Sequence, residues 1–314
     1  MELVAVGPDL YACLQPDEGL GTSNSGLVAR GGGTVVDTFY DLPLTRQLAG
    51  WYATVLDEPP VRVVNTHHNG DHCWGNQVFA ETGAEIVGHR RCAEYFTREA
   101  DPATFERLAA TDPAKLGPMA GFAAALRRFD FAGITLTPPT TVIDDDTVLD
   151  VDGLEVHLLP VGPAHTAGDV VVHVPEHGVV YTGDVLFHRC TPIGWEGTFD
   201  GWIGALERVA GLEPSVVVPG HGPLADVDGV LALRDYLTYV RAECRAHFDA
   251  GRTVLEAAAR IELGPYAGWN EPERLVFSVD RAYRELRGDP WDTPVDARAL
   301  FGDMVALRHR WREG

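Results

Sequence analysis

Positive charge is scarce in this sequence. Its 314 residues include 46 acidic but only 25 basic side chains, which gives a formal net charge of −21 at pH 7. Lys115 is the single lysine, and the other basic residues are arginines, a composition that suits a bacterium with a GC-rich genome. A strongly negative surface repels phosphate backbones and anionic lipid headgroups. We therefore expect no nucleic-acid or membrane partner. We expect a small-molecule substrate that is either neutral or reaches its site through a part of the surface that is locally less negative.

Long apolar segments and paired cysteines are also missing. No apolar run approaches the ~20 residues that span a bilayer. The start, Met1-Glu2-Leu3-Val4, lacks the basic and apolar regions of a signal peptide. The five cysteines are never spaced Cys-x-x-Cys, which argues against a disulfide framework or a thiolate zinc site. These features predict a cytoplasmic protein with reduced thiols.

The order of predicted elements indicates two β-rich halves, each with helices, followed by a helical tail. Gly31-Gly32-Gly33 separates two short apolar segments and predicts a hairpin. A helical segment at about residues 93–129 interrupts the pattern, either as a lid over a site or as scaffold. This order predicts an α/β fold with two packed sheets and helices outside them. We divide the chain into a domain over residues 1–230 and a C-terminal helical extension over residues 231–314.

Potential metal ligands follow the predicted strands in glycine-containing turns. They are His67, Asp71, His72, His165, Asp184 and His221. Loops that leave neighbouring strand ends converge on one point. Imidazole and carboxylate are ligands that suit zinc, iron or manganese, and an open coordination position holds water. A bound metal lowers the pKa of that water towards neutrality, so the pattern predicts metal-assisted chemistry.

Four segments resemble the signature motifs of the metallo-β-lactamase superfamily. They are His67-His68-Asn69-Gly70-Asp71-His72 (H-x-H-x-D-H), the Gly162–Asp169 segment around His165, Thr182-Gly183-Asp184, and Pro219-Gly220-His221-Gly222. They occur in the family's order, and the resemblance covers residues 3–225. It implies a four-layer αβ/βα sandwich, which agrees with the element order. It also implies that His67 and His165 belong to a first metal position, that Asp71, His72 and His221 belong to a second, and that Asp184 bridges both. Asp37 resembles the carboxylate that orients such ligands.

Asn69 departs from the family pattern, which has a histidine at this position. An amide oxygen competes poorly with water for zinc, so we expect one Zn²⁺ held tightly in the second position and a weaker or absent ion in the first. His68 is an alternative ligand. However, successive residues of an extended segment point to opposite sides, so residues 67 and 69 share a face that His68 does not.

Further catalytic and pocket residues are predicted, and some of them have two interpretations. Asp71 and Asp184 are catalytic candidates, Asp71 as a proton shuttle. His188 is either an acid that donates to a developing oxyanion or a surface loop histidine. Trp74, Phe187 and Trp195 follow the motif loops and either form an aromatic substrate pocket or pack in the core.

The resemblance implies a metal-dependent hydrolase in which activated water attacks the carbonyl of a thioester, ester, lactone or amide. The Asn69–Asn76 stretch is also similar to the aromatic-polyketide cyclase/thioesterase branch, where the metal stabilises an enolate and the substrate is carried by a carrier protein. A third interpretation is a mononuclear iron dioxygenase, because His67, His165 and Asp184 form a two-histidine, one-carboxylate set. A fourth is a binding protein that keeps the fold.

Overall fold

Two mixed sheets face each other in the computed structural model, which describes residues 1–16, 19–98 and 101–313. The first sheet has seven strands in sequential order. They are β1 (Glu2–Gly7), β2 (Leu10–Leu14), β3 (Ser25–Val28), β4 (Thr34–Val36), β5 (Arg62–Asn65), β6 (Glu85–His89) and β7 (Thr141–Ile143). Strands β1 to β4 pair antiparallel, and β4 to β7 pair parallel. The predicted hairpin is confirmed, because Leu27 of β3 pairs with Val35 of β4 across the glycine turn.

The second sheet has five strands in the order β12-β11-β10-β9-β8. They are β8 (Thr147–Val151), β9 (Leu154–Pro160), β10 (Val170–Val174), β11 (Val179–Phe187) and β12 (Val216–His221). Only the β11–β12 pair is parallel. Because these two strands run side by side in one direction, the residues near their carboxyl ends lie at the same edge of the sheet.

Alternation along the strands divides the apolar residues between two faces. Val36 and Val64 point into the core between the sheets, together with Val172 of the second sheet. Their neighbours Val35 and Val63 point to the opposite face and pack under the first helix. This follows from the two-residue period of a strand, which sends successive side chains to opposite sides.

Helices cover both outer faces. They are α1 (Leu42–Tyr52), α2 (Gly70–Cys73), α3 (Asn76–Ala80), α4 (Arg90–Tyr95), α5 (Pro102–Ala110), α6 (Ala120–Leu126) and α7 (Phe199–Ala210), followed by α8 (Val227–Asp249), α9 (Val254–Ala258), α10 (Leu275–Arg287) and α11 (Ala297–Glu313). The first helix begins where the Asp41 side chain accepts a hydrogen bond from the Leu44 amide. Helices α1 and α3 pack on the first sheet and α7 packs on the second. The four-layer αβ/βα sandwich is therefore confirmed.

The insert and the C-terminal helices pack against each other. Phe122 of α6 and Phe301 of α11 lie 4.3 Å apart between ring centroids, and both belong to the buried cluster that includes α7. The predicted boundary after residue 230 falls in the first turn of α8, and the division into two domains stays a prediction. Within the described ranges, no helix is long and apolar enough to cross a membrane.

Candidate metal centre

The structure gathers the six predicted ligand residues at one edge of the sandwich. His67 follows β5, and Asp71 and His72 lie in α2. His165 lies between β9 and β10, Asp184 lies within β11, and His221 is the last residue of β12. All are buried except Asp71, whose side chain is 14% exposed. The loops converge because they leave the carboxyl ends of packed strands.

Asp71, His72 and His221 form one group whose potential ligand atoms all lie within 4.8 Å of one another. The His221 Nε2 atom is 3.4 Å from Asp71 Oδ2 and 3.3 Å from His72 Nε2. The His72 Nε2 atom is 3.1 Å from Asp184 Oδ1. Three nitrogen and oxygen ligands at this spacing, with a fourth from Asp184, suit a tetrahedral divalent ion.

His67, His165 and Asp184 form the adjoining group. The Asp184 Oδ2 atom lies 3.3 Å from His165 Nε2 and 3.9 Å from His67 Nε2. Its other oxygen, Oδ1, faces His72 and His221 at 3.1 Å and 3.3 Å. The two oxygens of this one carboxylate therefore face different groups, which is the geometry that a bridging ligand needs.

The outer nitrogens of all four histidines are held by acceptors outside the centre. Nδ1 of His72 lies 3.0 Å from Asp37 Oδ2, and Nδ1 of His67 lies 2.9 Å from the Thr66 hydroxyl. Nδ1 of His165 lies 2.7 Å from the Ile193 carbonyl, and Nδ1 of His221 lies 3.0 Å from the Thr22 carbonyl. When Nδ1 donates outwards, the Nε2 lone pair is left facing the centre, which is the arrangement found in metal-ligating histidines.

Unpaired buried atoms test whether a cation fits here. Among the described residues, His67 Nε2 and Asp184 Oδ1 are buried and have no hydrogen-bond partner. A buried polar atom without a partner is costly, and in a native site it calls for a ligand, water or ion. Imidazole nitrogens and carboxylate oxygens that converge in this way fit a divalent cation.

The direction of the pKa shift divides the four histidines into two pairs. Burial lowers the pKa of His165 to about 4 and that of His67 well below its usual range. Burial opposes charge on His72 and His221 too, yet the Asp184 carboxylate raises the pKa of both. Burial would raise the pKa of Asp184, but His221 and His72 hold it well below its usual range. His72 and His221 would hold a divalent cation only after losing these protons, because metal and proton compete for the same lone pair.

Asn69 lies at the first metal position. Its Oδ1 atom is 2.8 Å from His165 Nε2. The same histidine donates from Nδ1 to the Ile193 carbonyl, so in its neutral form Nε2 carries a lone pair. An amide oxygen and a nitrogen lone pair at this distance are two acceptors without a proton between them, an arrangement that suits two ligands of one cation. The neighbouring His68 ring faces Tyr95, with 6.0 Å between ring centroids.

Asp37 lies behind the ligands, where the family resemblance places it. Its Oδ1 atom accepts a hydrogen bond from the Thr66 amide at 2.7 Å, and Oδ2 accepts from the Thr66 hydroxyl at 2.7 Å. Oδ2 also contacts His72. One buried carboxylate thus connects the loops that carry His67 and His72.

The side chains of two other predicted residues make their ring and hydrogen-bond contacts outside the ligand groups. Both ring nitrogens of His188 face the segment from Pro223 to Gly229: Nδ1 lies 3.0 Å from the Pro223 carbonyl, and a Cβ placed on Gly229 would lie 3.1 Å from Nε2. This ring therefore packs against the Pro223–Gly229 segment, and its role as an acid stays a prediction. Trp74 is 1% exposed and packs in an aromatic cluster with Tyr40, Phe105 and Phe131, which favours core packing over a pocket wall.

Phe187 and Trp195 lie beside the ligands. The Phe187 ring stacks on His221, with 5.0 Å between centroids and 13° between planes. Trp195 is partly exposed and packs against Phe277 of α10, and its main-chain amide donates to the His165 carbonyl at 3.3 Å. Both residues therefore contact histidines of the candidate centre, and Trp195 also reaches solvent.

The sequence analysis missed several supporting groups. The carbonyls of Thr22 and Ile193 orient two histidines, and no sequence pattern indicates them because any residue supplies a carbonyl. Glu196 accepts a hydrogen bond from the Ala167 amide at 2.7 Å, and Arg281 of α10 donates to the Ala164 carbonyl at 3.0 Å. Both therefore secure the loop that carries His165. The local spacing of residues does not predict that charged side chains are buried at Glu196, in the Gly194–Gly197 loop, and at Arg281, in a helix of the extension.

This stacked-sheet fold and its paired histidine–aspartate groups define a class of metal-binding α/β proteins. The family whose model matches the chain is the metallo-beta-lactamase superfamily, over residues 19–221, and the chain belongs to this superfamily. Three of the four motif segments lie wholly within this range, and the fourth extends one residue beyond it, to Gly222.

Known relatives and structures agree with this assignment. A linear primary-alkylsulfatase from a Pseudomonas species is 24% identical over 87% of this chain and 58% of its own length. A hydroxyacylglutathione hydrolase from Cereibacter sphaeroides is 24% identical over 70% of this chain and 66% of its own length. The chain thus spans roughly three fifths to two thirds of these relatives. A metallo-beta-lactamase family protein from Thermus thermophilus shares the fold, with a TM-score of 0.65 at 20% identity over 90% of this chain and 95% of that one.

Proposed function

We propose that this protein is a metal-dependent hydrolase in which water attacks the carbonyl of a thioester, ester, lactone or amide. The observation that carries the proposal is the convergence of four histidine Nε2 atoms on the two oxygens of Asp184. Related proteins of the superfamily include hydrolases by name. Zinc is the metal we propose, since nitrogen and carboxylate ligands in these numbers suit it.

The residues that would hold the metals form the two groups described above. Asp71, His72 and His221 complete the second position, whereas His67, His165 and Asp184 share the first with the weakly ligating Asn69. When bound, a divalent ion polarises a carbonyl and lowers the pKa of a water molecule towards neutrality. We expect the second position to be the tighter one.

Asp71 is the residue best placed to move a proton. It is the most exposed of the six ligand candidates, and its Oδ2 atom lies 3.4 Å from His221 and 3.8 Å from His72. An oxygen that is not taken up by a ligand contact accepts a proton from the attacking water. The same carboxyl then delivers the proton to the leaving group.

A sulfate ester is the second candidate substrate class. The match to the alkylsulfatase covers 87% of this chain, and residues 1–230 make up less than three quarters of it. The similarity therefore reaches into the C-terminal helices, which pack against the insert beside the site. An alkyl sulfate presents an ester-type bond to the same metal centre.

A substrate panel with metal analysis tests the proposal. Freshly purified protein is analysed for zinc and iron, then assayed with a hydroxyacyl glutathione thioester, a lactone, phenyl acetate and a linear primary alkyl sulfate. We expect zinc, and hydrolysis that Asp184→Ala lowers by at least about 1000-fold, because metal polarisation is worth several kcal/mol. Asp145→Ala, in a solvated turn, is the matched control. Metal-loaded protein that hydrolyses none of these compounds contradicts the proposal, and iron with oxygen consumption favours the dioxygenase alternative.

A further inference from the structure

A cavity of about 330 Å³ lies between the insert and the C-terminal helices. Helix α6 of the insert contributes Phe122 and Ala125 to its wall, and α11 contributes residues that include Phe301, Met304 and Val305. Its volume falls within the range of roughly 300–1,000 Å³ that is usual for small-molecule sites. Two distant parts of the chain therefore form one concave surface of a size that takes a small molecule.

This cavity is separate from the two ligand groups. None of the six candidate ligand residues is among the described residues that line it. The cavity and the centre adjoin at Ile193, which lines the cavity and whose carbonyl lies 2.7 Å from Nδ1 of His165. That nitrogen faces away from the metal positions. A molecule in the cavity therefore lies behind the ligands, outside the place of the reacting bond.

Apolar side chains form one part of the cavity wall. Phe122, Phe301 and Met304 belong to the main buried cluster of the protein, and the two phenylalanine rings lie 4.3 Å apart between centroids. Methionine adapts to irregular shapes, so Met304 can follow the contour of a bound hydrocarbon. A hydrocarbon gains free energy by leaving water for such a surface.

Arginines supply the charge around the same cavity. Its charged lining residues are one carboxylate, Glu271, and three arginines, Arg128, Arg274 and Arg308. Arg274 is buried and pairs with Glu271. The Arg308 side chain, which contacts Glu273, is 42% exposed, and Arg128 is exposed as well. In a chain with a net charge of −21, this excess of arginine beside an apolar wall favours an anionic ligand.

We propose that this cavity binds an amphipathic anion, with its hydrocarbon body against the apolar wall and its charged end beside the exposed arginines. Burial of the hydrocarbon supplies most of the affinity, and the guanidinium groups select and orient the anionic end. The inference does not depend on the proposed hydrolase activity, because the cavity contains none of the candidate metal ligands. Since the wall joins the insert to α11, a bound anion also stabilises the folded protein.

Calorimetry with matched ligands tests both halves of the proposal on the purified protein. Octanoate and butyrate carry the same carboxylate on chains of different length, whereas octanoate and octanamide differ in charge at the same length. We expect octanoate to bind at least about tenfold more tightly than butyrate, because each buried methylene adds to the affinity. It should also bind about threefold more tightly than octanamide, since exposed ion pairs are weak. Equal affinities within either pair would overturn the proposal.

Variants with matched controls locate the bound octanoate. Ala125→Leu fills part of the cavity and should weaken octanoate binding at least about tenfold, because the added side chain takes the place of buried methylenes. Ala103→Leu, at an exposed position of α5, should leave binding unchanged. Thermal midpoints without ligand show whether each variant is folded.

A second pair of variants tests the charge and does not alter the apolar wall. Arg128→Met should weaken octanoate binding about threefold and leave octanamide binding unchanged. Arg127→Met is the control, because Arg127 is also exposed and also donates to main-chain carbonyls, yet it lies outside the lining of the cavity. Octanoate binding that persists in folded Ala125→Leu, that falls equally in both arginine variants, or that Asp184→Ala abolishes would overturn the proposal, the last by placing the anion at the metal centre.

Discussion

Replacing Asn69 by histidine tests how the first metal position is built. The amide oxygen of Asn69 lies 2.8 Å from His165 Nε2, so an imidazole at this position reaches the same group of atoms. The side chain makes no capping hydrogen bond to α2, and therefore the substitution removes no helix cap. Asn69 is largely buried, at 9% exposure.

The expected gain follows from the number of ligands. The wild-type first position has His67, His165 and a shared Asp184, whereas Asn69→His adds a third imidazole. Losing even an outer partner of a metal ligand typically costs about 10- to 100-fold in affinity, so a new direct ligand is expected to gain at least about 100-fold. That factor corresponds to about 3 kcal/mol of binding free energy. At free zinc near 100 times the dissociation constant, the folded protein gains about 2.7 kcal/mol in stability.

Zinc stoichiometry after mild chelation is the assay. We expect about one equivalent in the wild type and about two in Asn69→His, with the thermal midpoint of the variant rising further when zinc is added. Asn69→Ala is the matched control, since it removes the amide without supplying an imidazole, and it should keep one equivalent. Two chelation-resistant equivalents in the wild type, or one in Asn69→His, would refute the reasoning.

Three further predictions concern the surroundings of the centre. Asp37→Asn weakens the contact with His72 Nδ1 and should lower zinc affinity at the second position by about 10- to 100-fold. Competition with a chromogenic chelator measures this affinity. An unchanged affinity would show that Asp37 does not support the ligands. Trp74→Ala empties a buried site among three aromatic rings and should lower the free energy of unfolding, measured with urea, by about 3–5 kcal/mol. If Trp74 instead formed a pocket wall, the substitution would change KM with little loss of stability. Burial raises the pKa of Asp169 to about 7, so the folded protein retains a proton that the unfolded chain releases near pH 4. The stabilisation from this carboxyl is then complete below about pH 4 and is lost as the pH rises through about 7. For metal-free protein, the unfolding free energies of wild type and Asp169→Asn should diverge by a few kcal/mol between these limits, and parallel pH curves would exclude this contribution.

Local pattern was sufficient for the fold and for the identity of the candidate ligands. Strand alternation and the glycine turn at residues 31–33 predicted the hairpin that the register of Leu27 with Val35 confirms. The placement of residues 67 and 69 on one face also follows from the period of an extended segment, and the structure indeed brings His67 and Asn69 to the first group. These features depend on near neighbours in the chain.

Features that depend on packing between distant segments were not predictable in this way. The partner of Asn69 is His165, 96 positions away along the chain, and His188 turns towards Pro223 because of how β11 and α8 meet. Trp74 and Phe187 share an aromatic character in the sequence, yet one packs with the insert and the other stacks on a histidine.

Hydrophobic periodicity and motif order are properties of contiguous chain, and they were enough to predict the two-sheet architecture, the family, and which histidines and aspartates lie close together. The packing of distant segments sets how the two oxygens of Asp184 face the two histidine groups and which carbonyls orient the rings. Those outcomes depend on distances between loops from different strands, and such distances are fixed only when the two sheets and the surrounding helices pack together.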